Sequence, residues 1–164
     1  MFVLGIDPGL TTTGYALVRA DAAGPVAVAA GVIRTPPDAP TERRLVELRR
    51  DLAAVVADHR PDAAAIERVF VNRNLQTAIG VARASGVALL VLGEAGIPVT
   101  EYSPSGVKKA LVGTGDAPKE QVQRLLELRL GLTAAPRPAD AADALAVALC
   151  HLQHLPARRR GVIG

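Results

Sequence analysis

Four acidic residues stand in apolar stretches of the sequence, where carboxylates are uncommon. Asp7 and Glu67 each follow a short apolar run that predicts a buried strand. Asp140 and Asp143 are three residues apart in an alanine-rich segment, which predicts neighbouring side chains in the first turn of one helix, where the helix dipole favours anions. Carboxylates that are brought together repel one another unless protons or cations compensate their charge. If the segments that carry them meet, the four acids predict a divalent-metal site.

The donor atoms of this site are all carboxylate oxygens. Because neither Cys nor His adjoins the four acids, the set favours Mg²⁺ or Mn²⁺ over zinc. Sites of this kind commonly hold two ions about 3.5 to 4 Å apart, one activating water and one stabilising the leaving oxygen of a phosphodiester. The implied chemistry is hydrolysis of nucleic acid. Each acid also has a structural alternative: a turn for Asp7, an ion pair for Glu67, and helix capping for Asp140 and Asp143.

The elements that must position the acids follow from the hydrophobic pattern and its breaks. Strands are predicted over residues 2–6, 12–20, 25–34, 63–66 and 97–102, and helices over residues 41–60, 74–93, 107–112, 119–129 and 139–154. We expect Thr41 to cap the first helix, Arg44 to face water, and residues 116–118 to begin the fourth helix. The economical interpretation is one α/β domain over residues 1–155, followed by a basic, disordered tail over residues 156–164.

Composition excludes several classes of protein. The 164 residues are 49% hydrophobic, enough for a sizeable core. The single cysteine, Cys150, excludes a disulfide framework and fits a reducing compartment, so we expect a cytoplasmic protein. The N-terminus lacks the pattern of a signal peptide, and the most apolar run, residues 87–92, is far shorter than the roughly 20 residues of a membrane-spanning helix. We therefore expect a soluble chain with no membrane partner.

The predicted helix over residues 74–93 is apolar on nearly all sides, with Arg83 as its one charged residue. Such a helix should be buried, either in the core of the domain or against a partner chain. The formal net charge of +3 is too small to establish a polyanionic partner alone. It keeps nucleic acid among the candidates.

Several motifs, in this order, resemble the RuvC family of bacterial Holliday junction resolvases. They are Gly5-Ile6-Asp7-Pro8-Gly9, Thr13-Gly14-Tyr15, Gly31-Val32-Ile33-Arg34-Thr35, Ile66-Glu67-Arg68-Val69-Phe70, Val112-Gly113-Thr114-Gly115, Lys119 with Gln121-Val122, and Ala139-Asp140-Ala141-Ala142-Asp143-Ala144. The resemblance spans residues 3 to about 151. It departs from the family pattern at Arg83-Ala84-Ser85-Gly86, where relatives typically have their positive charge two positions later.

The resemblance implies an RNase H-like α/β fold with a mixed five-stranded sheet flanked by helices. It further implies a homodimer that cuts two strands of like polarity at a four-way DNA junction, using Mg²⁺ or Mn²⁺, two per site. The products would be nicks with 5′-phosphate and 3′-hydroxyl ends. The family's partners in recombination and repair are the RuvA and RuvB branch-migration proteins. Its catalytic carboxylates correspond to Asp7, Glu67, Asp140 and Asp143.

The resemblance also assigns residues to DNA binding. Lys108 and Lys119 correspond to basic residues near the family's active site, and Lys119 begins a predicted helix, where a cation is disfavoured unless an anion lies near. A DNA phosphate would supply that anion. Phe70 corresponds to an aromatic residue that stacks on an unpaired base, with core packing as the alternative. The polar residues after it, Arg73 and Asn74, are assigned to the same surface.

Two other functions remain open from the sequence. One is an actin-like phosphotransferase, since a strand followed by Asp and Gly also opens that nucleotide-binding superfamily. Its folds need two such lobes, however, and this chain supplies one. The other is a junction-binding module without catalysis, which would have no reason to hold four carboxylates against DNA phosphate.

Overall fold

The computed structural model describes residues 1–71 and 74–155. These residues form five strands and five helices. The strands are β1 (Phe2–Asp7), β2 (Thr12–Asp21), β3 (Gly24–Arg34), β4 (Ala63–Glu67) and β5 (Val99–Tyr102); the helices are α1 (Thr41–His59), α2 (Leu75–Glu94), α3 (Pro104–Val112), α4 (Lys119–Leu130) and α5 (Ala139–His154). Every predicted element is present, most of them within two residues of the predicted bounds.

The strands form one mixed sheet in the order β3-β2-β1-β4-β5. The first three strands are an antiparallel meander, whereas β4 runs parallel to β1 and β5 runs parallel to β4. Long crossovers through helices join the parallel strands, as parallel pairing requires. The carboxyl ends of β1, β4 and β5 consequently lie at the same edge of the sheet.

Helices cover both faces of the sheet, and alternating side chains assign each strand residue to one face. Leu4 and Ile6 of β1 pack with α1 and α2. Val3, the residue before Leu4, faces the opposite way and packs with α3, α4 and α5. The fold is therefore a three-layer α/β/α arrangement, and the five-stranded mixed sheet flanked by helices is confirmed.

Two helix starts differ in detail from the sequence prediction. Pro40 is the N-cap of α1 and makes no side-chain capping bond, so the expected cap at Thr41 is wrong. Helix α4 begins at Lys119 with Pro118 as its N-cap, directly after the expected start over residues 116–118. Helix α3 starts at Pro104, three residues earlier than predicted, because the Ser103 hydroxyl accepts a hydrogen bond from the Gly106 N–H and Pro104 occupies the first turn.

Helix α2 buries one face and exposes the other. Ala84, Ala88 and Leu92 are fully buried in the core beside α1, whereas Leu75 and Leu90 are exposed. The expected burial of this helix in the core of the domain is thus confirmed for one face only. By length and composition α2 would suffice to cross a membrane, so the sequence argument, which considered only residues 87–92, underestimated the length of the apolar segment.

Candidate active site

The carboxyl ends of β1 and β4 carry the first two acids. Ile6 pairs with Ile66 across the parallel ladder, so Asp7 and Glu67 are the next residues on adjacent strands. Because side chains alternate along a strand, both acids project to the face opposite Ile6 and Ile66. That face is the one covered by α5, on which the other two acids lie.

Helix α5 places Asp140 and Asp143 on the side of the helix that faces the ends of β1 and β4. Asp140 lies in the first turn, as predicted, but Asp143 falls one turn further along, so its predicted first-turn position is wrong. The helix begins at Ala139, and the last acid is four residues beyond that start. The helix dipole therefore acts chiefly on Asp140.

The electrostatics of the two strand-end acids indicate a concentration of negative charge. Burial, together with the charges of Glu67, Asp143 and Asp140, raises the pKa of Asp7 to about 8. Burial and the charge of Asp143 raise the pKa of Glu67 to about 7. Desolvation alone disfavours a lone carboxylate, but the added repulsion shows that the acids lie within electrostatic range of one another. A cation at this place would relieve both effects.

Lys119 is the one cation among the residues described here that forms an ion pair with an acid of this group. Its Nζ lies 2.9 Å from Asp143 Oδ2. Lys119 is the first residue of α4, where the dipole disfavours a positive charge. The sequence argument expected a DNA phosphate as the compensating anion; in this structure Asp143 supplies it, and the pKa of Lys119 is raised by that pairing despite partial burial.

Lys108 lies on the other side of the same cleft. Glu67, Asp143, Lys108 and Lys119 line a cavity of about 200 Å³ between α3, α4 and α5. The charge of Lys108 also lowers the pKa of Glu67, against the larger effect of burial. Lys109, the third lysine of the chain, is exposed.

A second cleft, of about 510 Å³, borders Asp140. The segment after β1, residues 9–12, forms one wall, and Gln76, Thr77, Gly80 and Val81 of α2 form the other. The acids thus lie between two openings to solvent.

Of the three residues around the start of α2 that were assigned to DNA binding, two are described by the structure. Phe70 is 69% exposed just beyond Glu67, which excludes the core-packing alternative. Asn74 is the N-cap of α2, and its Oδ1 accepts a hydrogen bond from the Thr77 N–H at 3.2 Å. Arg73 and the tail over residues 156–164 lie outside the described residues.

Arg44 is the site-supporting residue that sequence reasoning missed. It is buried, not facing water as expected. Its Nε donates to Thr35 Oγ1 at 3.0 Å and its Nη2 to Thr11 Oγ1 at 2.8 Å, while Thr35 Oγ1 donates to the Leu10 carbonyl at 2.6 Å. Helix α1 thereby holds the segment that follows Asp7. The paired hydroxyls at Thr11 and Thr35 are distant in sequence, so no local signal marks them.

The fit of a metal ion to these acids can be judged from their chemistry and arrangement. Four carboxylates supply only hard oxygen donors, which suits Mg²⁺ or Mn²⁺. Within residues 1–71 and 74–155, no three His, Cys, Asp or Glu side chains are already gathered tightly enough to hold a metal ion. A cation between mutually repelling carboxylates compensates their charge. The donor set and the raised pKa values of Asp7 and Glu67 therefore fit a divalent cation.

Comparisons with known proteins agree with this arrangement. The family model of crossover junction endodeoxyribonuclease RuvC matches residues 3–151. The chain is 51% identical over 152 residues to RuvC of Syntrophomonas wolfei, covering 93% of this chain and 88% of that one. The Thermus thermophilus RuvC structure superposes with a TM-score of 0.88 at 38% identity, covering 97% and 96% of the two chains. A structure of T. thermophilus RuvC in complex with Holliday junction substrate gives a TM-score of 0.86 at 40% identity, covering 92% of each.

A mixed five-stranded sheet, with acids at two adjacent strand ends and on the helix that crosses them, defines an RNase H-like nuclease. The sequence match over nearly the whole length of the chain also identifies the family. The chain belongs to the RuvC family of crossover junction endodeoxyribonucleases.

Proposed function

We propose that this endonuclease resolves four-way DNA junctions by divalent-metal-dependent hydrolysis of two phosphodiester bonds. The observation that carries the proposal is the placement of acids at two adjacent strand ends, on the face covered by the helix that carries two more. Burial and the charges of the other three acids accordingly raise the pKa of Asp7 to about 8. A half-buried cluster of acids is costly to the free protein. Its natural use is to hold cations against the phosphates of a nucleic acid.

Asp7, Glu67, Asp140 and Asp143 are the residues that would hold the metal. Mg²⁺ or Mn²⁺, in two positions, would supply a metal-activated water and neutralise charge on the leaving oxygen. The carboxylates of β1 and β4 come from the ends of two adjacent strands, whereas those of α5 come from the helix that covers these strands.

The two lysines bind the DNA backbone in this proposal. Lys108 and Lys119 line the cavity beside Glu67 and Asp143, so a phosphate that approaches the acids from that side meets two ammonium groups. Lys119 would be free to contact a phosphate if a bound metal ion compensated the charge of Asp143, with which Lys119 now forms an ion pair. Asn74, the N-cap of α2, would contact DNA, and we assign Arg73, its neighbour in the sequence, to the same role.

Phe70 is the residue we assign to the centre of the junction. The Phe70 side chain is 69% exposed, so its ring is free to stack on a base. It follows Glu67 by three residues in the sequence, which supports a place near the cleavage site. Stacking on an unpaired base would contribute about 1 to 3 kcal/mol.

Two strands of a junction are cut when two copies of the site act together, which a homodimer supplies. Exposed Leu75, Ile79, Leu89 and Leu90 along α2 form an apolar surface that supports such an interface. A two-fold dimer presents its sites symmetrically, as a four-way junction presents its strands. By family resemblance RuvA and RuvB would deliver the junction, and the place of action would be the cytoplasm, in recombination and repair.

The competing functions are weaker. An actin-like phosphotransferase needs two lobes, whereas residues 1–71 and 74–155 form one five-stranded sheet. A junction-binding module without catalysis leaves the acids unexplained, since negative charge beside DNA weakens binding.

The test is incubation of the chain with a synthetic four-way junction and a linear duplex of matched sequence, each with Mg²⁺, with Mn²⁺ and with EDTA. We expect paired nicks in the junction alone, only with metal, with 5′-phosphate ends that ligase reseals. Equal cutting of the duplex would contradict junction specificity. Tight junction binding without cutting in either metal would favour the binding module.

A further inference from the structure

Gly14 and Gly5 are two places where the backbone of α5 lies directly against the sheet. Gly14 pairs directly with Asp7 across the antiparallel ladder of β1 and β2. A Cβ atom added to Gly14 would overlap the backbone carbonyl of Asp140 and would lie 3.1 Å from the Asp140 Cβ. The backbone of Asp140, one proposed metal ligand, therefore rests on Gly14, the strand partner of the proposed ligand Asp7.

Gly5 provides the second contact, further along the same helix. A Cβ at Gly5 would overlap the carbonyl oxygen of Ala144 and would lie 2.8 Å from the Ala148 nitrogen. The contacted positions, Asp140, Ala144 and Ala148, are four residues apart and form one line along α5. The helix thus packs directly against the sheet backbone at two positions that have no side chain.

The backbone conformation does not require glycine at either position. The glycines with positive φ are Gly24, Gly96, Gly113 and Gly131 among the described residues. Gly14 and Gly5 lie in ordinary strand pairing, where glycine is otherwise unfavourable. Space alone accounts for glycine here, because any side chain would lift α5 from the sheet.

We propose that Gly14, supported by Gly5, is a positioning residue that sets the separation between Asp7 and Asp140 and thereby the affinity of the metal site. This inference rests on the proposed function for the identity of the ligands. A side chain at Gly14 raises the first turn of α5 and carries the Asp140 carboxylate away from Asp7. The metal must then be held across a wider gap.

The test measures Mn²⁺ affinity by isothermal titration calorimetry without DNA, and Tm in EDTA, for four variants. Gly14→Ala should weaken Mn²⁺ binding at least about tenfold, as loss of ligand orientation typically does. Asp140→Glu, whose side chain is one methylene longer, should also weaken binding in the otherwise unaltered chain. In the Gly14→Ala background the same Glu should recover part of the lost affinity, because it spans the wider gap.

Leu52→Ala is the matched control for loss of stability. Leu52 belongs to α1 and is fully buried in the core on the opposite face of the sheet. Its truncation should lower Tm substantially and leave Mn²⁺ affinity unchanged. If Gly14→Ala lowers Tm yet binds Mn²⁺ like the unaltered chain, the proposal is overturned and Gly14 serves packing alone.

Should Gly14→Ala fail to fold, Asp140→Glu carries the test. Mn²⁺ affinity within twofold of the unaltered chain would then show that the separation is not critical, and would overturn the proposal. The proposed function fails separately. If the unaltered chain binds Mn²⁺ but cuts no junction, junction resolution is wrong while the role of Gly14 can still be decided from the titrations.

Discussion

Replacing Asp7 by Asn should stabilise the protein in the absence of divalent metal. The pKa of Asp7 is raised from 3.8 to about 8, so the folded protein holds this proton more tightly than the unfolded chain. The stability that the proton contributes is complete below the unfolded pKa and is lost as the pH rises toward the folded pKa. Asn has nearly the same shape and no charge. The variant therefore avoids this loss.

The magnitude follows from the two pKa values. Each pH unit between 3.8 and about 8 costs the unaltered protein up to about 1.4 kcal/mol. At pH 7 this approaches about 4 kcal/mol, and because the side chain is partly exposed we expect about 2 to 4 kcal/mol. For a chain of this length, Asp7→Asn should then raise Tm by roughly 5 to 10 °C at pH 7, and by much less at pH 5.

The assay is thermal unfolding in EDTA at pH 5, 6, 7 and 8, followed by circular dichroism. Asp38→Asn, which alters an exposed acid in the loop before α1, is the control and should not change Tm measurably. Added Mn²⁺ should raise the Tm of the unaltered protein and not that of Asp7→Asn. A Tm gain that does not depend on pH, or a loss of Tm, would refute the electrostatic reasoning.

Three further predictions concern residues around the acids. Lys119→Met should lower junction cleavage at least about tenfold yet tighten Mn²⁺ binding without DNA, because no ammonium then competes for Asp143; an unchanged calorimetric titration would contradict this competition. Phe70→Ala should shift Tm by less than about 2 °C, since the side chain is 69% exposed, while single-turnover cleavage falls about 5- to 100-fold from lost base stacking; marked unfolding would place Phe70 in the core. Arg44→Met should cost about 2 kcal/mol in urea unfolding, because two threonine hydroxyls lose their guanidinium partner; an unchanged midpoint would show that the bonds contribute nothing.

Much of the fold and of the acid site is predictable from the sequence because its signals are local. An apolar run that ends in an acid predicts a strand with a carboxylate at its end, and two such runs gave Asp7 and Glu67. Their meeting follows from parallel pairing, which places the carboxyl ends of β1 and β4 at one edge. The three-residue spacing of Asp140 and Asp143 predicts one helix face directly.

The features that sequence reasoning missed depend on contacts between distant segments. Nothing around Arg44 indicates burial, since its partners Thr11 and Thr35 lie in other elements. The anion beside Lys119 comes from α5, 24 residues further along. The role of Gly14 likewise needs the position of α5, because a glycine in a strand predicts only a weak strand or a bulge.

Cleavage and binding of a four-way junction by Asp7→Asn, measured side by side, test the catalytic role of the carboxylates most directly. The variant should bind the junction about as tightly as the unaltered chain, because Asp7 adds no favourable contact to DNA. It should cut no strand in Mg²⁺ or Mn²⁺, since a metal ligand is lost. Cleavage by Asp7→Asn at a rate near that of the unaltered chain would contradict the assignment of the active site.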